Sequence, residues 1–211
     1  MRASKQEEHQ FPAIPAKSQT VRAPLLTSVI ADFNPEDRVF VIDLGGLRKG
    51  TLNRLMDFPC RLDVIDLEFS GVEEDLDQRR TLQTQLGERL PAACGELADL
   101  LLCWNQLNYF SRSEIGALMA MLLPRLSAHA RIHALIESSS PDMPATPAPV
   151  ALDEADLIRI WPHSDEGSAA NRQPAPRHST DGLLACLPGM IADQTMLLGN
   201  GQKEYLFRWK G

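Results

Sequence analysis

The stretch from Val39 to Glu68, VFVIDLGGLRKGTLNRLMDFPCRLDVIDLE, constrains this chain more than any other. It reads as strand, glycine turn, helix, strand and terminal acid. Val39 to Ile42 is a continuous apolar run, which suits a strand covered on both faces. Thr51 to Phe58 suits a helix, with Leu52, Leu55 and Met56 on one side and Pro59 just past its end. Leu62 to Ile65 begins the second strand.

The pattern continues downstream. Asp99 to Trp104 reads as another buried strand. Ser111-Arg-Ser-Glu114 is a capping box, in which a Ser accepts from an orphan amide and a Glu three residues on reaches back. Ile115, Leu118, Met119 and Leu122 follow at helical spacing, and Pro124 stops the helix. Arg131 to Ile136 is the next strand, and Gly182 to Ile191 holds a short helix. The chain closes in a hairpin: Thr195 to Leu198, the turn Gly199-Asn200-Gly201, then Glu204 to Trp209. Tyr205, Phe207 and Trp209 share one face of that last strand, a face expected to meet a partner if it is exposed.

These segments predict an α/β chain with a mostly parallel sheet of seven strands or fewer, helices on both faces and a C-terminal antiparallel hairpin. Residues 1 to 24 read as a flexible, Pro-containing tail or wrapping arm, and 25 to 211 as a single domain. Leu25 to Phe33 is a short amphipathic stretch ending at the turn Asn34-Pro35. Two irregular segments, 138 to 150 and 164 to 178, are long enough to be lids or binding loops. Between Leu67 and Ala98 no third strand stands out.

Composition narrows the function. A net charge of -7 argues against a protein built to grip nucleic-acid phosphates. No apolar run approaches the ~20 residues needed to cross a bilayer, and the N-terminus has no signal-like apolar region, so a cytoplasmic location is expected. Cys60, Cys94, Cys103 and Cys186 lie far apart and read as buried free thiols. His129 and His133 are four apart but lack a third ligand, so no metal site is expected.

Three places carry a family resemblance. Asp43-Leu-Gly45-Gly46-Leu47-Arg48-Lys49-Gly50 follows the first strand. Asp66, with Glu68 close by, ends the second, near the usual ~20-residue spacing to a ribose-binding acid. Ala98-Asp99-Leu-Leu-Leu-Cys-Trp104-Asn105-Gln-Leu-Asn108-Tyr109-Phe110 joins a later strand to its loop. Together with the terminal hairpin, these resemble a degenerate class I S-adenosylmethionine-dependent methyltransferase, with a Rossmann-like fold. The family pattern after the first strand is an acid followed by glycines at alternate positions, where a missing Cβ lets the backbone approach the cofactor. Asp43 and Gly45 match; Leu47 and Lys49 stand where the other two glycines are expected. The alternative is a strand-to-helix turn that uses Gly only for packing.

The resemblance implies cofactor contacts from Asp43, Gly45, Gly46, Asp66, Trp104 and Asn105. Asn105 and Asn108 are candidates for hydrogen bonds to ligand or, equally, for turn capping. No catalytic residue is assigned; His163, His178 and Glu137 are candidate polar groups. The Asn-Pro-Pro-Tyr motif of amino-group methylators is absent. Two functions follow. One is a methyltransferase whose acceptor is unknown, a small molecule or a protein. The other is an inactive relative, with S-adenosylmethionine binding weak or lost, that works through a protein partner or homodimer. The segment Phe11-Pro-Ala-Ile-Pro suits an extended docking arm. A nicotinamide oxidoreductase is disfavoured, because the turn lacks GxGxxG.

Overall fold

Six strands form the central sheet in the computed structural model, which describes residues 18–67, 84, 87, 88, 90, 95–153, 157–161 and 172–211. In chain order they are β2 (Val39–Asp43), β3 (Cys60–Val64), β4 (Ala98–Trp104), β5 (Leu126–Glu137), β10 (Met190–Leu197) and β11 (Gln202–Trp209). Across the sheet the order is β10-β11-β5-β4-β2-β3. The β3-β2-β4-β5 block is parallel. The last strand, β11, is inserted between β5 and β10 and runs antiparallel to both.

The sequence dictates this block directly. Every residue of β2 is buried, as its unbroken apolar run requires of a strand covered on two faces. Edge strand β3 is only half-buried, and its polar Arg61 and Asp63 pair with each other at 2.9 Å. Helix α1 (Pro24–Ala31) and helix α2 (Lys49–Leu55) pack on one face through Leu25, Leu26, Val29, Ile30 and Leu55. Helix α3 (Arg112–Leu122) and helix α4 (Thr180–Leu184) cover the other through Ile115, Leu118, Met119, Leu122 and Leu183. Each such buried aliphatic side chain is worth about 1.5–3 kcal/mol in transfer free energy. The α3 capping box forms as expected: the Glu114 amide donates to Ser111 Oγ at 3.3 Å, and the Ser111 amide donates to Glu114 Oε2 at 2.7 Å.

Three expectations are refined by the structure. The Tyr205, Phe207 and Trp209 face is largely covered, so the exposure that a partner surface would need is not met. Tyr205 and Phe207 are buried, stacked on each other at 5.4 Å, and the Tyr205 hydroxyl is 2.9 Å from Thr180 Oγ1 of α4. The hairpin arm begins at Met190, so α4 is shorter and earlier than the segment expected to be helical. Residues 19–22, expected to belong to a flexible tail or a wrapping arm, form strand β1 (Gln19–Arg22).

That strand belongs to a feature the sequence does not announce. β1, β7 (Val150–Leu152) and β8 (Leu157–Ile160) form a separate antiparallel sheet in the order β1-β8-β7. Val21, Val150, Leu152, Ile158 and Ile160 join the core on the α1 and α2 side. The irregular segments also contribute a short ribbon, β6 (Asp142–Pro144) paired with β9 (Arg172–Pro174). Residues 1–17, most of the segment with no expected third strand, Cys94 and His163 lie outside the described residues.

Candidate functional site

The C-terminal ends of β2, β3 and β4 bring Asp43, Asp66 and Trp104 to one edge of the parallel sheet, where ligands of open α/β sheets bind. Asp43 ends β2 and is 1% exposed. Its Oδ1 accepts from the Gly45 amide and from Trp104 Nε1, both at 2.7 Å. Its Oδ2 has no partner among the described residues. Burial pushes the Asp43 carboxyl up to about 6, against the pull of the Gly45 amide, the Trp104 indole and the Arg48 charge.

Trp104 ends β4 with φ of 48°, a left-handed backbone that is rare for a bulky residue. Such strain costs of order 1–3 kcal/mol and needs a compensating arrangement. Here the compensation is visible: the fully buried indole reaches over the turn after β2, donates to Asp43 and stacks edge-on to His133 at 5.9 Å. It lies against Gly45, where an added Cβ would collide with Trp104 Cδ1 and Nε1.

The other glycines of the turn also answer to the chain's own atoms. Gly46 has φ of 76°, and a Cβ there would sit 3.0 Å from Asp66 Oδ1. At Gly50 a Cβ would collide with the Leu152 carbonyl of β7. The glycines therefore admit the Trp104 ring, the Asp66 carboxylate and the β7 backbone.

Segment 146–152 is tied across this edge by three side chains. Asn105 Nδ2 donates to the Ala148 carbonyl at 3.0 Å, and the Tyr109 hydroxyl donates to the Thr146 carbonyl at 2.9 Å. Thr51 Oγ1 accepts from the Leu152 amide at 3.2 Å. What remains is a cavity of about 150 Å³, lined by Gly45, Arg48, Asp66, Leu67, Gln106 and residues 146–149. Ligand pockets for drug-sized molecules usually span about 300–1,000 Å³. This opening is smaller than that range, and Gly45 is the one glycine of the turn among its lining residues.

Of the sequence candidates, Asp43, Gly45, Gly46, Asp66, Trp104 and Asn105 do converge on one edge. Their contacts are mostly internal, and only Gly45 and Asp66 among them line the cavity. Asn108 is a structural clamp: its Nδ2 donates to the Asn105 and Leu135 carbonyls, and its Oδ1 accepts from the Glu137 amide. Glu137 Oε1 accepts from the amides of Ser138, Ser139 and Ser140, so it organises the next turn. His178 Nε2 is 3.1 Å from the Leu107 carbonyl, and burial holds its pKa below the usual imidazole range. His133 is buried against Glu204 at 3.1 Å while His129 is exposed, and no metal-binding cluster occurs among the described residues. Burial pushes the Cys60, Cys103 and Cys186 thiols up, away from the reactive thiolate.

Residues missed by sequence reasoning are Arg48 and Gln106 on the cavity wall, and Thr51 and Leu152, which join α2 to β7. The signal for the small sheet is the β-rich run Leu157-Ile-Arg-Ile-Trp161, isolated between irregular stretches. A larger hollow of about 460 Å³ lies at the opposite strand ends, lined by residues including Val39, Asp99 and Arg131. Its carboxylate Asp99 is already engaged by the Phe40 amide and Ser127.

No family model and no curated protein matches the sequence. Solved structures do match in shape. The PH0226 protein from Pyrococcus horikoshii OT3 aligns with a TM-score of 0.50 and 12% identity, covering 89% of this chain and 88% of that one. The 1,6-didemethyltoxoflavin-N1-methyltransferase of Burkholderia thailandensis, solved with S-adenosylhomocysteine, aligns at 0.47 and 14% identity, over 88% and 76% of the two chains. With the strand order and the inserted antiparallel β11, the match to the PH0226 protein shows a shared α/β fold built on a mostly parallel sheet.

Proposed function

We propose that this methyltransferase-like chain does not transfer methyl groups and acts instead as an interaction or assembly subunit. The observation that carries the reading is the Trp104 indole on Gly45, seconded by the Leu152 carbonyl on Gly50. A methyltransferase needs its glycine turn bare so that backbone amides can reach the cofactor. In this chain the turn is occupied from both ends.

Two of the candidate polar groups support the same reading: Glu137 and His178 are engaged in structural hydrogen bonds, while His163 lies outside the described residues. Edge strand β10 supports an interaction role: its outer half is exposed, with Met196 at 41% and Leu197 at 66%, and it pairs with β11 alone. Natural edge strands are usually blunted by charge or proline, and residues 194–197 carry neither.

A second reading keeps the enzyme. Asp66 is exposed at the end of β3, and Gly46 keeps the turn in a left-handed conformation. For the cofactor to enter, residues 146–152 must lift and Trp104 must swing out together. Titration calorimetry with S-adenosylhomocysteine separates the two: absence of binding supports the non-catalytic reading, and micromolar binding supports the enzyme.

A further inference from the structure

We propose that the outer half of β10 is a homodimer contact, at which a second copy of this chain adds its own β10 antiparallel, about a two-fold axis at Met196. The proposal names the partner for the interaction role given above and rests on that reading.

Hydrogen-bond parity defines what this edge offers. The Leu198 amide donates to the Gln202 carbonyl at 2.8 Å, so these two are a hydrogen-bonded pair of the hairpin. Along an antiparallel ladder such pairs alternate with pairs whose N–H and C=O groups point away from each other. Counting back in register, Met196 and Gln194 turn their backbone groups to Glu204 and Leu206 of β11. Thr195 and Leu197, opposite Tyr205 and Lys203, turn theirs outward. No strand lies on that side of β10 among the described residues.

Two features bound the run. At one end the register shifts between Ala192 and Gln194, and the bulged Asp193 accepts from Arg208 Nε at 2.6 Å. At the other the chain turns at residues 199–201. A bulge and a turn both end regular pairing, so Thr195 and Leu197 are left to meet an incoming strand. They flank Met196 symmetrically. With the axis at Met196, Thr195 of each copy faces Leu197 of the other, and the outward groups of both copies are satisfied. An axis at Thr195 sets Leu197 against the bulge, and an axis at Leu197 sets Thr195 against the turn. The contact is isologous, as a two-fold dimer requires.

Charge selects a second copy as the occupant. Two chains of net charge -7 repel unless the surfaces that meet are uncharged. Residues 194–197 carry no charge. Met196 lies opposite Glu204, whose carboxylate accepts from the Leu25 and Leu26 amides, so α1 covers the Met196 face. That helix, PLLTSVIA, is also without charge, and its exposed Ser28 and Ala31 are small. On the other face Lys203 stands one strand in, about 14 Å or more from its copy at ~4.8 Å per strand. That exceeds the Debye length of ~8 Å in physiological salt. An acidic or basic partner finds no complement on this strip, whereas a copy of the strip does. So short a contact places the dimer in the weak class.

The test is sedimentation velocity of the full chain over a concentration series. A monomer–dimer equilibrium tighter than about 1 mM is expected, the weak end of specific association. Met196→Lys sets like charges on the axis and is expected to weaken the dimer at least tenfold. Thr195→Pro removes an outward N–H, spares the bonds to β11 and is expected to weaken it too. Met56→Lys, at an exposed residue following α2, is expected to leave it unchanged. Cysteine pairing under oxidised glutathione reads the register, with the native chain run alongside. Met196→Cys is expected to give a disulfide-linked dimer, because directly opposed residues of this kind have Cα atoms about 4.5 Å apart, within disulfide reach. Leu197→Cys lies two residues out of step with its copy, about 8 Å away, and is expected not to link. A chain that stays monomeric to about 1 mM leaves the edge to a strand from another protein and overturns the proposal. So does a dimer indifferent to both Met196→Lys and Thr195→Pro, or one that links through Leu197→Cys and not Met196→Cys. Binding of S-adenosylhomocysteine is measured separately, so a dimer that binds it overturns the non-catalytic reading alone, and a monomer that does not overturns this proposal alone.

Discussion

Trp104 Nε1 donates a 2.7 Å hydrogen bond to Asp43 Oδ1, joining the ends of two parallel strands beneath the glycine turn. The same carboxylate oxygen accepts from the Gly45 amide, so the turn, the acid and the indole form one unit. Each part constrains the others: the indole needs a glycine beneath it, and the acid needs the indole as donor.

The acid gives the unit a pH dependence. The Asp43 carboxyl rises from 3.8 to about 6 on folding, chiefly through burial. The folded state therefore holds this proton longer than the unfolded chain. Its contribution is fully present below the unfolded value and is lost as pH rises from about 4 through about 6. The loss is roughly 2–3 kcal/mol, because each tenfold change in proton affinity is worth about 1.4 kcal/mol. Urea denaturation of the native chain and of Asp43→Asn across this range should show the decline only in the native chain. An equal decline in both would assign it to other groups.

The indole and the glycine should be energetically coupled. Gly45→Ala is expected to cost about 1–3 kcal/mol, as overpacking does in a filled core. Trp104→Leu is expected to cost about 3 kcal/mol, typical of truncating a large buried side chain. In the double variant the added methyl meets space, so the combined loss should fall short of the sum by at least about 0.5 kcal/mol. Additive losses in a double-mutant cycle would mean that Gly45 serves something other than Trp104.

Much of this architecture is legible in the chain. The unbroken apolar run of β2 announces a strand buried on both faces, and Ser111 with Glu114 announces the start of α3. The converging acids Asp43 and Asp66 are legible as strand ends. What the glycines do is not, because the answer lies in Trp104, 59 positions beyond Gly45, and in its left-handed backbone. Local spacing carries no information on where such a ring points. Strand β7 is hidden for a similar reason. It has three residues, prolines precede it, and its partner β8 takes its other neighbour from β1 at the far end of the chain. Alternation places Tyr205 and Phe207 on one face, but only the packing of α3 and α4 decides that this face is covered.

Helix α1 depends on a side chain from the last strand. Its N-cap residue is Ala23, which has no side-chain acceptor. Glu204 of β11 substitutes, accepting from the Leu25 amide at 3.1 Å and the Leu26 amide at 2.9 Å, with His133 at 3.1 Å. Glu204→Ala leaves two helix amides and a buried imidazole without this partner, and is expected to cost about 3 kcal/mol or more. Glu204→Gln retains an acceptor and should cost less. Hydrogen exchange should show faster opening of Leu25 and Leu26 than of α3 in the alanine variant. Protection unchanged at these two amides would remove Glu204 as the cap.

The proposed closure of the glycine turn by Trp104 and β7 predicts that a nucleoside cofactor does not bind. Titration calorimetry of the full chain with S-adenosylhomocysteine, with Asp66→Ala as control, measures this. No binding heat is expected up to millimolar ligand in either protein. Micromolar affinity in the native chain that disappears in Asp66→Ala would contradict the closure and restore the enzyme reading.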